Sequence, residues 1–247
     1  MRVSRRNVLI ATAGGALSFA IPRIARATTP APDVMARLAV HAASFETMKT
    51  HASFLIAGKL EELDGSGVAT TTREMTGQVT ADGTKLHFAV LKYLENGQDK
   101  TADVQQKAKD ADQKPTSPSA ANAPRKRDFR MPFHTGEQPR YYFDQIAVDG
   151  TIPTRVQIAF VPKIREDDTI EGSAWVDTVA GTVLSSGFKL TKPPSVMDWV
   201  HAQLTFGAST SLGPMISKID MEAAGGILFV RRHLRATATL TNHSIVP

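Results

Sequence analysis

Seven histidines, at positions 41, 51, 87, 134, 201, 233 and 243, supply the ligands that metal or acid–base chemistry would need, but no two stand at metal-ligand spacing. Ser186-Gly187-Phe188-Lys189 has the Ser-x-x-Lys spacing in which a lysine activates a serine nucleophile. That chemistry needs the serine at a helix start with Ser-Asp-Asn and Lys-Thr-Gly partners. Here both partner motifs are missing, and the four residues fall in a segment with strand periodicity. Glu166, Asp167, Asp168 and Glu171 are hard oxygen donors that suit Ca²⁺ or bulk solvent, without the glycine turn of a calcium loop. No glycine-rich loop joins a strand to a helix, so a phosphate cradle has no support. The chain has no cysteine, which excludes disulfides, thiolate metal sites and a lipid-bearing cysteine. The expectation is no catalytic residue, no metal and no cofactor.

Two patterns remain. Arg231, His233 and Arg235 alternate on one face of the last expected strand, with Arg232 opposite. They suit an anionic headgroup or an acidic partner, and equally a solvated edge strand guarded by charge. The second pattern is a surplus of aliphatic and aromatic residues on one face of strand after strand. Phe54, Phe88, Met215 and Met221 belong to it, and Ile158, Phe160, Leu184, Phe188, Leu204 and Phe206 are the candidate lining of an apolar cavity. Such stripes fill a closed core, or else line a groove for an acyl chain, where each buried methylene contributes roughly 0.8 kcal/mol.

The elements that must position these residues begin after an export leader. Arg5 and Arg6 form a twin-arginine pair, Val8 to Ile21 is a modest apolar run, and Ala25-Arg26-Ala27 is a small-x-small site with cleavage expected after Ala27. An ordinary secretory leader is the alternative, and either takes the chain to the periplasm. The leader holds five arginines and no acid, which accounts for the whole net charge of +5. A nucleic-acid partner is therefore not indicated. No second long apolar segment follows, so no transmembrane anchor is expected after cleavage.

From about Asp33 to Thr50, Val34, Leu38, Phe45 and Met48 recur at helical spacing, with Asp33 as the expected N-cap. Period-two segments follow at Ser53–Leu63, Thr84–Leu94, Tyr141–Val148, Arg155–Val161, Ile170–Asp177, Thr182–Leu190, Val196–Phe206, Met215–Met221 and Ile227–Leu240. Asp82-Gly83, Asp149-Gly150 and Ala180-Gly181 read as turns, and Gly225-Gly226 as a strand separator. Residues 98–130 interrupt the pattern with a polar helical stretch, a Pro/Ser-rich stretch and the basic cluster Arg125-Lys126-Arg127. The class expected is α+β and β-dominated: a large antiparallel sheet of roughly nine to eleven strands behind one N-terminal helix.

The segment Glu171-Gly172-Ser173-Ala174-Trp175-Val176-Asp177, followed by Ala180-Gly181-Thr182-Val183-Leu184, resembles the G-x-x-W-[IV]-D-x-x-[TS]-G-x-[VLI] hairpin of LolA-like lipoprotein-sorting proteins and their RseB-like relatives. The resemblance covers most of the chain after the leader in layout and this hairpin in motif. It implies one domain over 28–247, folded as an incomplete barrel with helices on its apolar face. It further implies a lipid or lipoprotein acyl chain as ligand, with an envelope protein as a further or alternative partner. An exported hydrolase with an unrecognised nucleophile is the remaining alternative.

Overall fold

The computed structural model describes residues 28–81, 83, 86–113, 130–227 and 230–245. The leader, with Arg5, Arg6, Ala25 and Ala27, lies outside the described residues, as does the basic cluster at 125–127. The elements are α1 (Pro32–His51), β1 (Ala52–Leu63), β2 (Ala69–Ala81), β3 (Leu86–Glu95), β4 (Gln98–Asp99), α2 (Thr101–Gln113), β5 (Tyr141–Val148), β6 (Arg155–Pro162), β7 (Ile170–Asp177), β8 (Thr182–Leu190), β9 (Met197–Thr210), β10 (Gly213–Ile227) and β11 (Val230–Ile245).

The strands form one antiparallel sheet in the order β4-β3-β2-β1-β11-β10-β9-β8-β7-β6-β5. It does not close on itself, so the molecule is β-dominated α+β, as the strand periodicity predicts, and an incomplete barrel, as the resemblance implies. The chain enters the sheet in the middle with β1, runs outward to β4, crosses to the far edge and meanders back until β11 pairs with β1 from Ala52↔Ile245 to Leu63↔His233.

Helix α1 lies on one face. Leu38 and Ala42 enter a core with Ile158, Phe160, Val176, Val183, Leu204 and Phe206, and Phe45 packs beside them. Met131 and Phe133, which follow the polar insertion, return to the same face. The Phe133 ring stacks on Phe143 at 5.6 Å and meets Phe160 edge-on at 6.0 Å.

Four local expectations need correction. The N-cap of α1 is Ala31, with no side-chain cap. Asp33 sits inside the first turn and pairs with Arg37 at 2.9 Å, one turn on. Strand β2 has no counterpart in the period-two reading, because its helix-side residues include Thr71, Arg73 and Gly77 and show no apolar stripe. Gly225-Gly226 does not separate two strands. Both lie within β10, at an irregularity where a Cβ on Gly225 would collide with the Val196 carbonyl and come within 2.6 Å of Met197 Cα. Finally, β11 is a central strand, and the sheet edges are β4 and β5.

Candidate functional site

Strand register sorts the side chains onto two faces. On β1, Phe54, Ile56, Gly58 and Leu60 share the α1 side. Opposite them stand Val79, Gly77, Met75 and Arg73 of β2. The same face continues through Leu240, Ala238 and Ala236 of β11, Ile219 and Met221 of β10, and Leu204 and Ala202 of β9. It reaches Ser186 and Phe188 of β8, Gly172 and Ala174 of β7, and Ile158 and Phe160 of β6. The apolar stripes read from the sequence thus merge into one face.

Helix α1 and the 131–133 segment cover part of that face. Ile158 and Phe160 have no exposed surface, and Leu204 and Phe206 are buried. Phe188 is partly buried and packs against the core. Leu184 sits at a β-bulge, where Val176 pairs with Val183 and Trp175 with Ser185. Val183 takes the fully buried position and Leu184 is half-buried. Away from the helix the same face is open, with Met221 39% and Phe88 44% exposed. Its far end is polar: Arg73 bonds Glu62 at 2.8 Å and Glu95 at 3.0 Å, and Arg232 reaches Glu62 at 3.2 Å.

Among the described residues few polar contacts hold α1 down, and one of them is the Gly83 N–H, which donates to the Thr50 carbonyl at 2.7 Å. Arg37 Nε donates to the Thr178 carbonyl at 3.0 Å. Gln138 Nε2 donates to the Met35 carbonyl at 3.1 Å. His41 bridges Val183 N–H at 3.2 Å and the Pro214 carbonyl at 2.7 Å.

The Trp175 hairpin supplies two of these anchors, which gives its motif a structural meaning. Asp177 Oδ1 accepts from Val179 and Ala180 N–H, both at 2.9 Å, and so shapes the turn. Gly181 has φ +67°, and a Cβ there would lie 2.5 Å from Arg37 Cβ, so glycine admits both the turn and the helix.

On the opposite face, Arg231, His233 and Arg235 are brought together with acids. Arg231 pairs with Asp198 at 3.3 Å and Arg235 with Glu222 at 2.9 Å, while His233 meets the Trp199 ring edge-on at 5.6 Å. A groove of about 640 Å³ on this face crosses β10, β11, β1, β2 and β3 between Lys218 and Lys92. Its Lys59 and Lys218 are paired with Glu61 and Asp220 at 2.6 and 2.9 Å.

The other sequence candidates become structural. Ser186 points to the α1 face and Lys189 to the opposite one, where it pairs with Glu171 at 2.8 Å. Their spacing therefore places no lysine beside the serine. The acidic run is solvent-exposed, as its composition suggests, and two of its members act structurally: Arg140 is gripped by Glu137, Glu166 and Asp168 at 2.6, 2.6 and 2.7 Å. Those hydrogen bonds raise the Arg140 pKa further. No group of three or more His, Asp or Glu gathers as metal ligands among the described residues, and no described helix is long and apolar enough to cross a membrane.

No protein-family model matches the sequence, and no curated protein matches it. Among solved structures, the chain is similar to a LolA superfamily protein from Nitrosomonas europaea, with 9% identity, 86% of this chain and 94% of that one covered, and a TM-score of 0.40. A DUF1329 family protein from Desulfovibrio piger matches at 10% identity, 88% and 94% coverage and a TM-score of 0.39. A chain of the Pseudomonas aeruginosa MucA/MucB complex matches at 11% identity, 87% and 99% coverage and a TM-score of 0.25. At these identities and scores the likeness is one of layout, and no ligand or partner follows from it.

Proposed function

We propose that this chain is exported to the periplasm and binds a lipid or a lipoprotein acyl chain, as a carrier or sensor, with no catalytic step. One observation supports this above all: a continuous apolar face spans the sheet, and helix α1, with few polar anchors, and the 131–133 segment cover only part of it. An acyl chain that slid in beside or beneath α1 would bury methylenes at roughly 0.8 kcal/mol each, without any charged contact. Phe88, Met221 and Phe188 mark the entrance, Ile158, Phe160, Val183, Leu204 and Phe206 the covered interior with the half-buried Leu184 at its margin, and the Glu62–Arg73–Arg232 end the place for a headgroup.

The test is native mass spectrometry with organic extraction on protein taken from its own periplasm. A stoichiometric lipid or acylated peptide is expected. An apo mass that persists after added fatty acid would sink the reading. Phe188→Asp is the informative variant and should abolish uptake with the fold intact. Phe160 has no exposed surface, so a charge there would unfold the chain and say nothing about binding.

A protein-interaction module is the second reading. It is favoured by the outer edge of β3, where Phe88 and Leu91 are 44% and 53% exposed. Among the described residues only Leu94 and Glu95 of that edge have strand partners, in β4. Co-purification of a defined envelope protein without lipid would support it over the first.

A further inference from the structure

One ring ties helix α1 to the strands on which it lies. His41 is 4% exposed, and both of its nitrogens are engaged. Nδ1 accepts from Val183 N–H near the start of β8. Nε2 faces the Pro214 carbonyl near the start of β10. A donor on one side and an acceptor on the other leave one consistent state, a neutral imidazole with its hydrogen on Nε2.

We infer that His41 is an acid-sensitive latch: a proton on Nδ1 sets N–H against Val183 N–H, breaks that bond and frees α1 from the face it covers. The inference rests on α1 being the cover of the proposed binding face, and it names how that cover is released.

Among the described residues, the charged groups near the ring are committed to other partners. Phe206 of β9 meets it edge-on at 5.6 Å. On α1, Arg37 is held by Asp33 and the Thr178 carbonyl, and Glu46 pairs with Lys49 at 2.9 Å. Toward β8, Asp177 is committed to the Val179 and Ala180 N–H groups. Lys189 of β8 pairs with Glu171, and Lys218 and Asp220 of β10 pair with each other, all on the opposite face. Burial holds the His41 pKa below the usual imidazole value, with the Pro214 carbonyl pulling the other way.

With α1 displaced, the ring meets water and titrates near its ordinary value of about 6.5. The open form therefore takes up a proton at higher pH than the closed form does. Below pH ~6.5 each unit of acidification favours opening by up to about tenfold, until the closed form itself protonates. His243, whose pKa is also lowered by burial and whose ring stacks on Phe54, is the necessary control.

The absence of cysteine makes the test clean. Spin labels go on the full chain at Val40→Cys, 68% exposed on α1, and Val161→Cys, 48% exposed on β6. Their distance distribution is measured at pH 7.5 and pH 5 without any lipid, alongside the β-sheet circular dichroism. The expected result is one short-distance population at pH 7.5 and a growing long-distance population at pH 5, with the sheet signal unchanged. The His41→Gln chain should show the same distribution at both pH values, while His243→Gln responds as the parent does. An unchanged parent distance, a response that persists in His41→Gln, or a response that takes the sheet signal with it overturns the latch. Fatty-acid uptake is assayed separately, so a failed latch leaves the acyl-binding reading standing, and failed uptake at every pH leaves the latch standing.

Discussion

Arg140 shows why side-chain roles were hard to read from this sequence. Its partners Glu166 and Asp168 are 26 and 28 residues away, and only the fold brings the four charges together. From sequence alone the acidic run could only be read as an ion site or as solvated charge. The same holds for Arg37, whose carbonyl acceptor on Thr178 is 141 residues away. Ser186 and Lys189 fail for the opposite reason: their spacing is legible, but three residues along a strand place them on opposite faces. Removing the Arg140 cation would leave three carboxylates facing one another with their repulsion unrelieved. Arg140→Gln should therefore cost roughly 1–2 kcal/mol at low salt and less at high salt, because the cluster is partly exposed and screened. Urea denaturation at two ionic strengths measures this, and equal midpoints for parent and variant at low salt would refute it.

At the scale of elements, legibility followed apolar alternation. Helix α1 and strands β1, β3 and β5 to β8 could be read because one face of each carries a repeating apolar side chain. Strand β2 could not, since it pairs through its backbone while Thr71, Arg73 and Gly77 share its helix-side face with Met75 and Val79. The candidate cavity residues were identified for the same reason. Their closure under α1 was not legible, because no local pattern states which strands a helix will cross. Glycine misled the reading at 225–226, where the backbone needs close approach and no turn is made. Gly225→Val would drive a side chain into the Val196 carbonyl and Met197 Cα, forcing β9 and β10 apart at their irregular pairing. The expected cost is roughly 2–4 kcal/mol, read as a lower thermal midpoint. Ala57→Val, on a regular and exposed stretch of β1, should be near neutral by the same measurement. Equal losses at the two positions would mean that the close approach at Gly225 carries no special weight.

For the whole molecule, the class was legible and the strand order was not. Repeated alternation predicts a large antiparallel sheet, but only tertiary pairing decides that the first strand meets the last. That seam joins Ile56 to Leu240, within a sheet whose other antiparallel neighbours are mostly successive in sequence. Closing it orders nearly the whole chain before any reward arrives, so hairpins such as β7–β8 should form first and the seam late. Leu240 is 7% exposed and Val176 fully buried, so truncating either to alanine should cost about 2–4 kcal/mol. The kinetic signatures should differ. Leu240→Ala should act mainly by speeding unfolding, and Val176→Ala mainly by slowing refolding, with folding of the parent in the millisecond-to-second range. Stopped-flow chevrons of the three chains decide the matter. If Leu240→Ala slows refolding by its full equilibrium loss, the seam is part of the nucleus, and the two halves of the sheet then fold as one unit around β1 and β11.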